Sequence, residues 1–168
     1  MDEPSSSPLY VIDTSSLIQL QPLLRRTFGL LWNRMDQLAD AQRAVVPEEV
    51  QRELGDDEAE AQVRWLRDHP AIVRGTAELW DRARLVANRY PDLVDLAKPG
   101  SGDPFVIALA LAEREQHQAT LWPRPVIVVA EEHSKRPSKV AIPDACDDYG
   151  LRVVRLQGLF DSEGWTDL

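Results

Sequence analysis

Leu9-Tyr10-Val11-Ile12-Asp13-Thr14-Ser15-Ser16 is the stretch from which the fold of this chain is read. Four apolar, partly β-branched residues run directly into a carboxylate and three hydroxyls, the pattern of a short strand covered on both faces in a parallel α/β sheet. Ligands of such sheets bind outside the carboxyl ends of the strands, which is where Asp13 stands. Two roles are open to it. Asp13 either caps the following helix, as Asp, Ser and Thr commonly do, or presents its carboxylate to a ligand, and the placement of the other acids bears on the choice.

Composition narrows the classes. A chain of 168 residues with 43% hydrophobic and 28% charged residues is a single globular domain rather than a disordered or two-domain protein. No apolar run approaches the roughly 20 residues of a membrane helix. Residues 1–8 are acidic and Ser-rich and are expected to form a flexible tail, with no signal-peptide pattern. The single cysteine, Cys146, cannot form an internal disulfide and agrees with a reducing, cytoplasmic setting. His69, His117 and His133 show no zinc-binding spacing. A net charge of −9 argues against a broad duplex-binding surface, which needs Lys and Arg. It is compatible with carboxylates gathered around a divalent cation.

Outward from Asp13, residues 14–24 read as a short helix interrupted near Pro22. Residues 23–43 read as a longer amphipathic one, with Leu30, Leu31, Met35, Leu38 and Ala39 on one face. Ala44-Val45-Val46 is a second strand, and Pro47 suits the first position of a helix over 47–54. In that helix Glu48 and Glu49 complement the helix dipole. Glu53 lies too far in for that effect and shares a face with Val50 and Leu54, so it is expected to point inward. A carboxylate on an apolar face is costly unless paired or metal-bound. Glu49 stands as the neighbouring alternative to Glu53.

Residues 56–69 and 76–90 spell two further amphipathic helices joined by Pro70-Ala71-Ile72-Val73, and Trp65 and Trp80 in them are read as core residues rather than stacking surfaces for bases. Gly102-Asp103-Pro104 then opens a nearly all-apolar helix, with Asp103 as an N-cap candidate aimed at the sheet's crevice. Pro125-Val126-Ile127-Val128-Val129-Ala130 is the clearest strand. It runs into Glu131-Glu132, a repeat of the pattern at Asp13, with Glu131 the alternative to Glu132 as ligand. The basic loop with Lys135, Arg136 and Lys139 is either solvated or in contact with phosphate. A short helix from Ile142 to Gly150, a last strand Leu151-Arg152-Val153-Val154 and a tail over 159–168 complete the chain.

Strand and helix alternate, and Asp13, Glu53, Asp103 and Glu132 fall at strand ends or on the helices beside them. Carboxylates converging without a cation repel one another by roughly 4 kcal/mol per pair at about 4 Å and intermediate dielectric. Oxygen-only ligands relieve that repulsion with Mg²⁺ or Mn²⁺ rather than zinc, ions that activate water in phosphodiester cleavage.

At these four places the chain resembles the PIN-domain ribonucleases, which include the VapC toxins of bacterial toxin-antitoxin pairs. The residues carrying the resemblance are Val11-Ile12-Asp13-Thr14-Ser15, Pro47 through Leu54, Gly102 through Ala108 and Val128 through Glu132. Together with Lys139 through Cys146 they look most like a little-characterised PIN-like branch. The resemblance implies a three-layer α/β/α domain with a central parallel sheet, and an acidic pocket holding Mg²⁺ or Mn²⁺ that hydrolyses RNA. It places Asp13, Glu53, Asp103 and Glu132 as catalytic metal ligands and Ser15 as an assisting polar residue. Glu132 stands where many members have Asp, and Ala130 where many have Thr. The partners it implies are an RNA substrate, a cognate antitoxin and a second copy of the chain. The competing reading is a non-catalytic PIN-like module that binds RNA or protein.

Overall fold

The computed structural model describes residues 7–94, 103–131 and 140–166. The stretch Leu9–Ile12 is strand β1, its four residues buried on both faces. It sits at the centre of a five-stranded parallel sheet with β2 (Ala44–Pro47), β3 (Val73–Arg74), β4 (Val126–Val129) and β5 (Arg152–Val154), in the order β3-β2-β1-β4-β5. The register pairs Tyr10 with Ala44 on one side of β1 and with Ile127 on the other. Full burial explains the run of unalternating apolar residues in β1, β2 and β4.

Eight helices among the described residues cover the sheet: α1 (Thr14–Leu20), α2 (Gly29–Asp40), α3 (Glu48–Leu54), α4 (Ala61–Asp68), α5 (Thr76–Arg89), α6 (Asp103–Gln118), α7 (Ile142–Asp148) and α8 (Leu156–Ser162). α5, α6 and α7 pack together, as do α1, α3 and α4. The Arg34 guanidinium of α2 lies 5.8 Å from the ring of Trp165, just beyond α8. The result is the expected three-layer α/β/α architecture. Its order carries a functional consequence: the chain builds β1, β2 and β3 in one direction, then returns to the other side of β1 to lay down β4. The carboxyl ends of β1 and β4 therefore flank the topological switch point, where crevices form in open α/β sheets.

Several elements differ from the sequence reading. The helix expected over 23–43 begins only at Gly29, because the Leu23 carbonyl is taken by the Trp32 indole N–H at 2.6 Å. Leu30, expected on the apolar face, is exposed. The helix expected from residue 56 starts at Ala61, since the Asp57 side chain accepts the Ala59 N–H at 2.9 Å and closes a turn instead. Pro47 ends β2 rather than opening α3; its backbone is extended and pairs with Arg74. The linker 70–73 conceals the start of β3, a two-residue strand too short for any periodicity. The tail expected over 159–168 contains most of α8. That helix is pinned where Arg43 and the Tyr10 hydroxyl both donate to the Glu163 carboxylate. Of the tail expected over 1–8, residues 1–6 lie outside the described residues.

Candidate functional site at the switch point

Asp13 follows β1 directly and is 3% exposed. Its Oδ2 accepts the Ser15 N–H at 3.1 Å, so Asp13 does cap α1. Cap and ligand are not exclusive roles: the cap uses one oxygen of a carboxylate that has two. The Ser15 hydroxyl donates to the same Oδ2 at 2.6 Å and accepts the Glu131 N–H at 3.0 Å. One serine thus ties the carboxylate after β1 to the backbone after β4, across the switch point.

Glu131 completes a clasp. Its Oε1 accepts the Ser16 hydroxyl at 3.3 Å and the Leu156 N–H at 2.7 Å, at the start of α8. The carboxyl ends of β1, β4 and β5 are therefore joined through Ser15, Ser16 and Glu131, and the Glu131 carboxylate is occupied in binding α8. The remaining ligand candidate of the pair, Glu132, lies outside the described residues, as do Lys135, Arg136 and Lys139 of the basic loop.

Glu53 does not point inward as its spacing suggested; its side chain is exposed. Burial on α3 falls from the first turn, where Glu49 and Val50 are enclosed, to the second, where Leu54 is only partly covered and Arg52 and Glu53 are exposed. Glu53 nonetheless reaches the site, since the Thr14 hydroxyl next to Asp13 donates to its Oε2. Asp103 is the first residue of α6. Residues 119–125 alone separate the end of α6 from β4, so α6 runs back against the strands and its first turn faces the carboxyl edge.

The buried glutamate of α3 is Glu49, 2% exposed. Its Oε1 accepts from the Thr76 hydroxyl and from Arg52 at 3.3 Å, and its Oε2 is buried without a hydrogen-bond partner among the described residues. Glu48 beside it accepts the Thr76 N–H at 3.1 Å and approaches the same hydroxyl at 2.9 Å. A hydroxyl has one proton, so Thr76 can serve only one of the two carboxylates at a time. The Thr76 backbone N–H, then its hydroxyl, hold the Glu48 carboxyl below its ordinary value. The sequence concealed Glu49 because a first-turn acid has a ready explanation in the helix dipole.

Cys146, wholly buried in α7, is also close to this centre. Burial foremost, and next the Asp13 carboxylate, push its thiol up to about 12. A thiol so held is a packing residue, not a nucleophile. At the opposite, amino end of the sheet is a polar cavity of 340 Å³ lined by Arg74, Glu113, His117 and Arg124 among others. Its acids are matched by cations, including an Arg74 to Glu113 pair at 3.1 Å, so it lacks the excess of carboxylates seen at the carboxyl edge.

Among the described residues no three His, Cys, Asp or Glu side chains stand close enough together to hold a metal ion. The carboxyl edge carries Asp13, Glu48, Glu49, Glu53, Asp103 and Glu131. A family model described as a domain of unknown function, DUF4411, matches residues 10–167. The chain belongs to the DUF4411 family. The match spans the DUF4411 domain from β1 to the residues after α8, so it takes in every element that supplies the switch point. Neither the search of curated proteins nor that of solved structures finds a match.

Proposed function

We propose that this protein is a metal-dependent endoribonuclease of PIN type that hydrolyses RNA phosphodiester bonds with Mg²⁺ or Mn²⁺. The observation that supports it best is the Ser15 link, which fixes a buried carboxylate at the topological switch point, where open α/β sheets generally bind their ligands. The donor chemistry suits such an ion, since the groups at the edge are oxygens and acidic in excess, although the described side chains are not gathered as a ligand shell. Asp13 and Asp103 would hold the ion, with Glu53 and Glu132 completing its shell. When bound, the ion supplies an acidified water and neutralises charge on the phosphate. The chain's own part is positional. Ser15 holds the Asp13 carboxylate in one orientation, Thr14 steadies Glu53, and the burial of Asp13 lowers the local dielectric so that each charge acts strongly.

The test is Mn²⁺-dependent cleavage of RNA by the wild type and by Asp13→Asn and Asp103→Asn. Loss of a metal-holding carboxylate is expected to lower the rate by about 100-fold or more. Equal cleavage by all three proteins would remove the assignment.

A second reading is the non-catalytic PIN-like module that binds RNA or protein. Ala130 favours it: buried at the end of β4, it presents a methyl where many PIN-domain proteins carry a hydroxyl. Melting with Mn²⁺ separates the two. An ion at about 100 times its Kd adds roughly 2.7 kcal/mol, a rise of about 5–10 °C for a domain of this size. No rise favours the module. A toxin role, with an antitoxin as partner, extends the first reading and would be tested by arrest of growth on expression of the wild type but not of Asp13→Asn.

A further inference from the structure

The tryptophan read from the sequence as core is not in the core: Trp80 is 56% exposed, whereas Trp65 on α4 is fully buried. Its position is specific. α5 starts at the carboxyl edge, where Glu48 receives the N–H of its first residue, Thr76, and Trp80 lies one turn further on. The indole centroid is 6.1 Å from the ring of Phe105, inclined at 43°, and Phe105 belongs to the first turn of α6, two residues from Asp103. A half-exposed indole therefore leans on the helix that delivers an acid to the proposed centre. One turn beyond Trp80 is Arg84, 65% exposed, its nearest ion pair a 4.0 Å approach to Asp81. The neighbouring Arg82 is engaged with Glu115 at 2.7 Å and is not available in the same way.

We propose that Trp80 is a stacking platform for an unpaired base of single-stranded RNA entering the acidic centre, with Arg84 meeting the backbone phosphate beside it. This rests on the RNA reading above and names its substrate class. Aromatic faces interleaved with cations are how proteins hold single strands without reading sequence. A duplex would not fit the same surface. Its bases are stacked on each other, and its dense phosphates call for a wide basic face that a protein of net charge −9 lacks.

The experiment is anisotropy of a fluorescein-labelled single-stranded RNA of about twelve nucleotides, and of the same strand in a duplex. It is performed on the full chain in EDTA so that no cleavage intervenes. Trp80→Ala is expected to weaken single-strand binding about five-fold or more, and Trp80→Phe, which keeps a stacking face, to stay within about two-fold of wild type. Circular dichroism melting checks that both variants fold, as the exposure of the side chain predicts. Unchanged binding by Trp80→Ala, equal loss by Trp80→Ala and Trp80→Phe, or a wild type that prefers the duplex overturns the proposal. Failure of the nuclease reading is separately visible: a wild type that never cleaves with Mn²⁺ yet loses single-strand affinity on Trp80→Ala leaves the platform standing. A wild type that cleaves with a KM unmoved by Trp80→Ala leaves only the nuclease.

Discussion

Ser15 is the residue on which the geometry of the candidate site turns, because its hydroxyl both donates to Asp13 and accepts from Glu131. Ser15→Ala strands the partly buried Glu131 N–H and removes one of the two hydrogen bonds that residue 15 makes to Asp13 Oδ2. Leaving a buried polar group unsatisfied costs about 1–3 kcal/mol, so chemical denaturation is expected to show a loss in that range, together with weaker Mn²⁺ binding in the thermal-shift assay. Ser15→Thr keeps the hydroxyl and is expected to recover most of both. Asp13 itself was legible in the sequence, since a carboxylate after four apolar residues has few readings. The partner of Ser15 was not. That Glu131 meets Ser15 through its backbone depends on the chain returning to β1 from 116 positions away, and its carboxylate then meets α8 at Leu156, 25 positions further on.

At the scale of elements, α8 is held at both ends by single acids. Glu131 receives its first N–H group, and beyond its last turn the Glu163 carboxylate takes Arg43 and Tyr10. Glu163→Ala removes one partner from a largely buried ion pair, a change that typically costs about 3–5 kcal/mol. Glu131→Gln keeps an acceptor for Leu156 and is expected to cost less than Glu163→Ala. Urea melts of the two variants test the order. α8 is hard to read from the sequence because seven residues carry little periodicity, and what holds it is its packing on β5 and the ties of Glu163 to Tyr10 and Arg43. The same reason hid β3. By contrast α6, with eight consecutive buried residues from Pro104 to Leu111, was plain from its composition.

For the whole molecule the titrating groups predict an alkaline limit. Burial and hydrogen bonding to Glu163 raise the Tyr10 phenol far above its ordinary value, burial and Asp148 bring Tyr90 to about 12, and Cys146 also stands at about 12. Each group is harder to deprotonate folded than unfolded. Between its unfolded and folded values the native state therefore holds more protons, and stability falls as pH rises. The contribution is intact below about pH 9, where the unfolded thiol begins to ionise, and is lost progressively toward pH 12. Thermal melts from pH 7 to 11 are expected to show this decline. Cys146→Ser is expected to flatten its lower part, since only the thiol titrates near pH 9.

What the sequence determined by itself was the class of fold and the identity of the central strand. Long apolar runs can be satisfied only by burial on both faces, and strands alternating with helices imply a parallel sheet. It also determined which chemistry to look for, since isolated carboxylates at strand ends need no partner to be noticed. The tertiary structure decided which acids stand where. Glu49 is buried and Glu53 exposed because the cover over α3 thins after its first turn, a matter of packing that helical spacing does not encode. Trp80 is at the surface while Trp65 is in the core, although both sit among aliphatic residues at helical spacing. Periodicity shows that a helix has an apolar face; only the packed neighbours define how far around the helix that face extends.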